Sequence, residues 1–85
     1  MTLNTTGHDN TACGINSLAA NTTAHYNTAF GAGALEGCTT GEYNVAVGNI
    51  AMDAANMTGN FNTAIGRSAL GANTSGSSNC AVGIN

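Results

Sequence analysis

Apolar and polar residues alternate over five short segments of the chain, and each segment reads asparagine, a small or apolar residue, alanine, an apolar residue and glycine. The leading asparagines follow one another at intervals of 17, 17, 18 and 17 residues. This asparagine row consists of Asn10, Asn27, Asn44, Asn62 and Asn79. A period with so little drift is typical of a protein in which one structural unit is stacked along an axis.

The alternation predicts a β-strand in each segment, with the second and fourth residues on one face and the third on the other. The third residue is alanine in all five copies, and this alanine row is Ala12, Ala29, Ala46, Ala64 and Ala81. The fourth residues form an apolar row of Cys13, Phe30, Val47, Ile65 and Val82. Because the third place holds only alanine, we expect another backbone to approach it closely. That backbone belongs either to the opposite side of the same coil or to a neighbouring subunit.

Two further rows have the same period. The leucine row is Leu18, Leu35, Met52 and Leu70, and the aromatic row is Tyr26, Tyr43 and Phe61. Glycine, asparagine and serine between the rows indicate turns, and the leucine segment is predicted as a second short strand. Coils stacked at about 4.8 Å, the spacing between strands, would align each row into a ladder of similar side chains.

Helix and disorder are the competing interpretations of the sequence. Glycine, asparagine and threonine recur too densely for helix, and the strict period argues against disorder.

The predicted fold is therefore all-β, a parallel β-solenoid of about five 17-residue coils with two or three short strands each. The chain is predicted to be a single repeat domain, 1–85. Its parts are a half coil at 4–9, coils at 10–26, 27–43, 44–61 and 62–78, and a partial coil at 79–85.

The composition limits how such a chain can be stabilised and what it can bind. Only 6% of its 85 residues are charged, and the net charge is −3 with a single basic residue, Arg67. Nucleic acid is therefore an unsuitable partner, because no cationic patch is present to displace counterions. No apolar run is long enough for membrane insertion, and the N-terminus lacks the features of a signal peptide. The apolar residues are mainly alanine, so we expect burial to come from stacking or from other copies.

Candidate chemistry is sparse. His8, His25 and Glu42 share one phase of the repeat, but Asn60 and Ser77 continue that row, which argues for a solvent-facing column over a metal site. The four acidic residues form no obvious catalytic pair, so we predict no enzyme activity, no catalytic residues and no cofactor. Three cysteines at three phases match neither a disulfide framework nor a zinc site. A second asparagine column, which also begins glycosylation sequons, is interpreted mainly as an amide ladder: Asn4, Asn21, Asn56 and Asn73.

The repeat Asn-Thr-Ala-x-Gly-x-x-Ala-Leu-x-x-Asn-Thr-Thr-Gly is best preserved at 27–41 and 62–76. It resembles repeats of phage tail-fibre-type proteins and large bacterial surface proteins, and it is similar to the head β-roll of trimeric autotransporter adhesins. The resemblance covers nearly the whole chain. It implies parallel solenoid coils, often in trimers, that serve as rigid stalks or binding surfaces outside the cell or on a virion. The coiled-coil stalk and membrane anchor that often accompany such repeats are not in this sequence.

The two ends of the sequence match in phase, which suggests head-to-tail stacking as an alternative to a trimer or to an excised piece of a longer fibre. The residues expected at these assembly ends are Leu3, Asn4, Val82 and Ile84.

We therefore expect a structural or adhesive fibre module that self-assembles as a head-to-tail filament or a trimeric fibre segment. Its main partner is expected to be itself, with a cell-surface or glycan receptor as a second class. The alternative function is ice binding through two columns of threonines. The columns are Thr5, Thr22, Thr39 and Thr74, interrupted by Met57, and Thr11, Thr28 and Thr63, interrupted by Val45 and Cys80.

Overall fold

The computed structural model describes residues 6–53, 57–71 and 75–84. Over these ranges the chain contains five three-residue strands and no helix. The strands are β1 (Thr11–Cys13), β2 (Thr28–Phe30), β3 (Val45–Val47), β4 (Thr63–Ile65) and β5 (Cys80–Val82). They form one parallel sheet in the order β1-β2-β3-β4-β5, with one strand per turn of the chain. The prediction of an all-β parallel solenoid is confirmed, with about four turns between the first strand and the last.

The register between neighbouring strands follows the repeat residue for residue. Ala12 lies beside Ala29, Ala29 beside Ala46, and the same pairing continues to the end of the alanine row. The 18-residue step keeps this register, since Ala46 still pairs with Ala64. The extra residue of that step falls near 54–55, which lies outside the described residues.

The alanine row faces the inside of the coil. Ala29, Ala46 and Ala64 are completely buried and belong to the same core as Leu18, Leu35 and Met52. The alanine row therefore packs in the core of its own chain together with the leucine row, and not against a neighbouring subunit. The close approach of another backbone to this row stays a prediction. Since adjacent residues of a strand point to opposite faces, the second and fourth residues of each strand lie outside.

The leucine segment is a series of turns, so the prediction of a second strand there is wrong within the described residues. The N–H of Ala34 donates to the carbonyl of Gly31 at 3.1 Å, and the same turn recurs in the other coils. Leu35 and Met52 adopt left-handed backbone conformations with φ of 54° and 50°. Such a conformation costs a non-glycine residue about 1–2 kcal/mol.

Burial and hydrogen bonding offset this cost. The N–H of Leu35 donates to Ala51 of the next coil at 2.9 Å, and that of Met52 donates to Ala69 at 2.9 Å. Both side chains are fully buried, and burying an apolar side chain of this size contributes about 1.5–3 kcal/mol. Among the described residues, Cys38 and Met57, both completely buried, form one isolated parallel bridge outside the five strands.

Glycine follows each strand, and at β1 to β4 the next coil passes directly over it. Gly31 has a φ of 130°, and a Cβ placed on it would lie 2.7 Å from the carbonyl oxygen of Gly48. Gly48 has a φ of 129° and is covered by Gly66 in the same way. Any other residue here would meet both backbone strain and a backbone clash, which accounts for the glycine at the fifth place of the repeat.

Candidate assembly surfaces

Each member of the asparagine row joins its own coil to the next one. The Oδ1 of Asn27 accepts a hydrogen bond from the N–H of Asn44 at 2.8 Å, and the Nδ2 of Asn27 donates to the carbonyl of Gly41 at 2.7 Å. The same pair of bonds connects Asn44 to the N–H of Asn62 and to the carbonyl of Gly59, at 2.9 and 2.8 Å. A short amide fits this position because its oxygen accepts from the backbone N–H of the next coil while its nitrogen donates to a glycine carbonyl near the end of its own coil.

The row continues to both ends of the sheet. Asn10 accepts from the N–H of Asn27 at 2.9 Å, and Asn62 accepts from the N–H of Asn79 at 3.0 Å. Asn27, Asn44 and Asn62 are buried, so these bonds are shielded from water. The sequence indicates the row, but it does not show that the partners of the side chains are backbone groups of the glycine turns.

The second asparagine column behaves differently. Asn21 is buried, and its Nδ2 lies 3.4 Å from the carbonyl of Ala24 in the same coil. The equivalent residue of the next coil is Cys38, whose thiol lies 3.4 Å from the carbonyl of Gly41. Its complete burial makes Asn21 a poor acceptor for a glycan. Asn4, Asn56 and Asn73, the other members of this column, lie outside the described residues.

The outside of the sheet is an apolar face, which we call the outer face. It carries the apolar row together with the second residues of the strands, Thr11, Thr28, Val45, Thr63 and Cys80. Phe30 is 58% exposed and Ile65 is 42% exposed, although they are among the largest apolar residues of the chain. Exposed large apolar residues that share one face of a sheet, on a chain with so few large side chains, are typical of an interaction site.

The aromatic row borders the outer face and forms a stack, as predicted. The ring centroids of Tyr26 and Tyr43 are 4.8 Å apart with an interplanar angle of 13°, and those of Tyr43 and Phe61 are 5.0 Å apart at 6°. Sugars bind aromatic residues through the ring faces. Here the rings cover one another's faces and expose mainly their edges, so the stack offers little to a glycan.

Charged groups lie beside the outer face and not on it. The Nδ1 of His8 is 2.7 Å from the Oδ2 of Asp9, at the foot of the aromatic row. The Nε2 of His25 is 4.0 Å from the Oε2 of Glu42. None of the ten positions of the five strands that point outward holds an acidic or basic residue.

His8 and His25 contact each other. The rings of His8 and His25 are stacked with centroids 3.9 Å apart, and the Nδ1 of His25 accepts a hydrogen bond from the N–H of His8 at 3.0 Å. Within the described ranges, no three histidine, cysteine or acidic side chains are grouped closely enough to hold a metal ion.

The threonine hydroxyls of the first threonine column bond to the backbone of the solenoid. The Oγ1 of Thr22 donates to the carbonyl of Thr39 at 3.3 Å, and the Oγ1 of Thr39 donates to Met57 at 3.4 Å. A hydroxyl that bonds to a carbonyl of the next coil is less able to organise water outside. The second column lies on the outer face, where Val45 separates Thr28 from Thr63 and Cys80 takes the position after Thr63.

The three cysteines occupy two kinds of environment. Cys13 and Cys80 are exposed on the outer face, and Cys38 is buried in the core. Burial raises the pKa of the Cys38 thiol from 9.0 to about 11, although its contact with the Gly41 carbonyl opposes the shift. A rise of this size leaves about a hundredfold less thiolate at neutral pH, and the thiolate is the reactive form.

This difference predicts selective labelling of the folded protein. At pH 8, and at a chain concentration low enough to leave the outer face free of other copies, a thiol reagent is expected to modify Cys13 and Cys80 quickly. Cys38 should react at least a hundredfold more slowly, because it is both inaccessible and protonated. Peptide mapping after timed quenching measures the three rates, and unfolding in urea should equalise them. Equal rates in the folded protein would contradict the placement of Cys38 in the core.

The residues expected at the assembly ends are only partly described. Val82 and Ile84 are exposed next to the open edge of β5, whereas Leu3 and Asn4 lie outside the described residues.

The described residues include no helix that is long and apolar enough to cross a membrane. Comparison with protein-family models, with curated proteins and with solved structures found no match.

Proposed function

We propose that this protein is a structural fibre module whose copies associate side by side through the outer face. The observation that carries the proposal is the exposure of Phe30, Ile65 and Val82 on one uncharged side of a rigid sheet. Sequence alternation alone does not indicate which face of each strand is buried. The structure buries the small alanines and leaves the large side chains outside.

A second copy of the chain is a suitable partner for this face. The two faces that would meet carry no charged side chain, so association would bury apolar area without desolvating an unpaired ion. Neighbouring strands stand in register, which gives the face a regular relief that an identical face can pack against. The resemblance of the repeat to trimeric fibre proteins favours three chains.

The proposed role is mechanical and needs no catalytic group or cofactor. Consecutive coils are joined by the strand ladder, by the asparagine row and by turn hydrogen bonds, so the solenoid resists bending between coils. A stack of stiff coils, associated side by side, would serve as a stalk or as a segment of a tail fibre. An extracellular, cell-surface or virion location is proposed from the resemblance, as is contact with a receptor.

The test is to make the outer face polar without disturbing the strands. Phe30→Thr and Ile65→Thr place a residue with high β-propensity at exposed positions. We expect the double variant to remain folded and to sediment as a smaller species, with self-association weakened at least tenfold. Sedimentation velocity at several concentrations measures the change.

Arg67→Ser is the control, because Arg67 is exposed in the turn beyond β4, off the outer face and away from both ends of the sheet. This control should associate like the unmodified chain. The proposal is wrong if the double variant keeps the oligomeric state of the unmodified chain, or if Arg67→Ser dissociates it equally.

Ice binding is the alternative, and one observation favours it. Thr11, Thr28 and Thr63 face outward from strands that stand in register, with Val45 between Thr28 and Thr63. Phe30 beside them breaks the flatness that an ice surface requires, so we regard this function as less well supported. Measurement of thermal hysteresis tests it directly, and activity that Thr28→Val and Thr63→Val abolish would establish it.

A further inference from the structure

We infer that copies also join end to end, with β5 of one copy pairing in parallel with β1 of the next and Val82 lying beside Cys13. This junction uses the open edges of the sheet, so it is a different surface from the outer face. The inference therefore does not rest on side-by-side association, and each can fail without the other.

The structure shows the same hydrogen bonds at every coil-to-coil step. The N–H of Thr63 donates up to the carbonyl of Asn79 at 2.8 Å, and the N–H of Gly83 donates back to the carbonyl of Ile65 at 2.8 Å. Earlier steps match, with Val45 donating to Asn62 and Gly66 donating to Val47, both at 2.8 Å. A coil thus presents one set of donors and acceptors upward and the complementary set downward.

The two ends of the described sheet carry the two halves of this pattern. No strand of the described part lies beyond β1 or beyond β5. By analogy with the internal steps, the N–H of Cys80 would donate to the carbonyl of Asn10 in the next copy. The N–H of Gly14 in that copy would donate back to the carbonyl of Val82. Unpaired strand edges of this kind are templates for pairing with another chain.

The asparagine row supplies a further bond across the junction. Within the chain, the N–H of each asparagine donates to the Oδ1 of the asparagine below, at 2.8–3.0 Å. Asn79 is the uppermost member and is exposed. Its Oδ1 would accept from the N–H of Asn10 in the next copy and extend the row across the boundary.

The ends also have the space and the backbone shape for this contact. Gly83 has a φ of 123°, like the internal glycines, and a Cβ placed on it would meet nothing within 4 Å, whereas the internal glycine Gly66 is covered by Gly83. At the other end, residues 6–9 run beneath the second half of the first coil, where the N–H of Thr6 donates to Thr22 and that of Tyr26 donates to His8. Residues 6–9 do not lie beneath β1, and no strand of the described residues does.

Another copy of this chain is the occupant that fits best. A parallel in-register step places Ala12 of one copy beside Ala81 of the other, as at every internal step. It also places Asp9 of one copy above Ser78 of the other, so that no like charges meet. A heterologous contact of this kind repeats without closing and produces an open filament.

An engineered disulfide tests the register. In a Cys80→Thr background, Val82→Cys would put a thiol beside Cys13 of the next copy, with Cα atoms about 4.8 Å apart, the spacing of paired strands. This distance lies within the range that disulfides span. Copper-phenanthroline takes two electrons from the two thiols, which release two protons as the bond forms.

We expect this variant to give a regular ladder of covalent dimers, trimers and longer chains on non-reducing gels. The matched control is Ile84→Cys in the same background, which moves the thiol two residues along the edge. Its Cα would lie about 8 Å from that of Cys13, from the strand rise and spacing, and at least tenfold less product is expected. Peptide mapping should find the bond between Cys13 and the cysteine introduced in place of Val82.

Equal cross-linking of the two variants, or none in either, would overturn the inference. Both variants are made with Phe30→Thr and Ile65→Thr added, so that side-by-side contacts do not contribute. Electron microscopy of the unmodified chain at two concentrations is the second measurement, and long uniform filaments are expected. Discrete particles at both concentrations would contradict the end-to-end junction while leaving side-by-side association intact.

Discussion

Replacement of Ala46 by leucine is expected to remove about 3 kcal/mol or more of the free energy of unfolding, or to prevent folding. Ala46 is completely buried at the centre of the alanine row and belongs to the same core as Met52. Inserting methylene groups into a filled core costs about 1–3 kcal/mol and sometimes more. We expect the upper end of this energy range for Ala46→Leu, because hydrogen bonds to the coils above and below hold the backbone in place. A domain of this size is stabilised by only about 5–10 kcal/mol in total.

Urea denaturation at a fixed chain concentration measures the effect, since self-association would otherwise shift the midpoint. Val47→Leu is the control, because it enlarges the next residue of the same strand on the outside. We expect it to change stability by less than about 1 kcal/mol, as for most surface substitutions. A stable, well-folded Ala46→Leu protein would contradict the placement of the alanine row inside the coil, and Ala64→Leu should behave like Ala46→Leu.

Asn44→Ala is expected to destabilise the protein by about 3 kcal/mol. The substitution removes the acceptor of the Asn62 N–H and the donor to the Gly59 carbonyl, at 2.9 and 2.8 Å. Both backbone groups would then be left without these partners in a buried site, and each such loss costs about 1–3 kcal/mol. Thermal and urea unfolding of the variant measure the loss.

Asn79→Ala is the control, because it removes an asparagine of the same row without removing the buried hydrogen bonds that Asn44 makes. Asn79 belongs to the same row but is exposed at the last strand, where its Nδ2 contacts the Oδ1 of Asn62 at 3.1 Å. We expect it to cost less than about 1 kcal/mol in the isolated chain. Equal destabilisation by the two substitutions would show that the side-chain hydrogen bonds of Asn44 to Asn62 and Gly59 are not what stabilises the stack.

The repeat predicts the register because every strand carries alanine at its centre. A one-residue slip would exchange the small inner side chains for the large outer ones, so the pairing of Ala29 with Ala46 follows from the pattern alone. The stack of Tyr26 on Tyr43 also follows from the period, since residues one coil apart lie about one strand spacing apart.

The orientation of the strands could not be predicted from alternation. Large apolar residues usually lie inside, and that preference would have buried Phe30 and Ile65. The coil is too narrow for this, because Leu35 and Met52 already fill the interior from the opposite side. The left-handed backbone conformation of Leu35 could not be predicted from the sequence either. It is unfavourable for leucine, and tertiary packing imposes it.

Sedimentation equilibrium of the unmodified chain over a hundredfold range of concentration tests the central claim, that this solenoid functions by association with copies of itself. The account predicts species heavier than the 8.3 kDa chain throughout the upper part of the range. A monomer of 8.3 kDa at every concentration would contradict the account and would make ice binding the leading proposal.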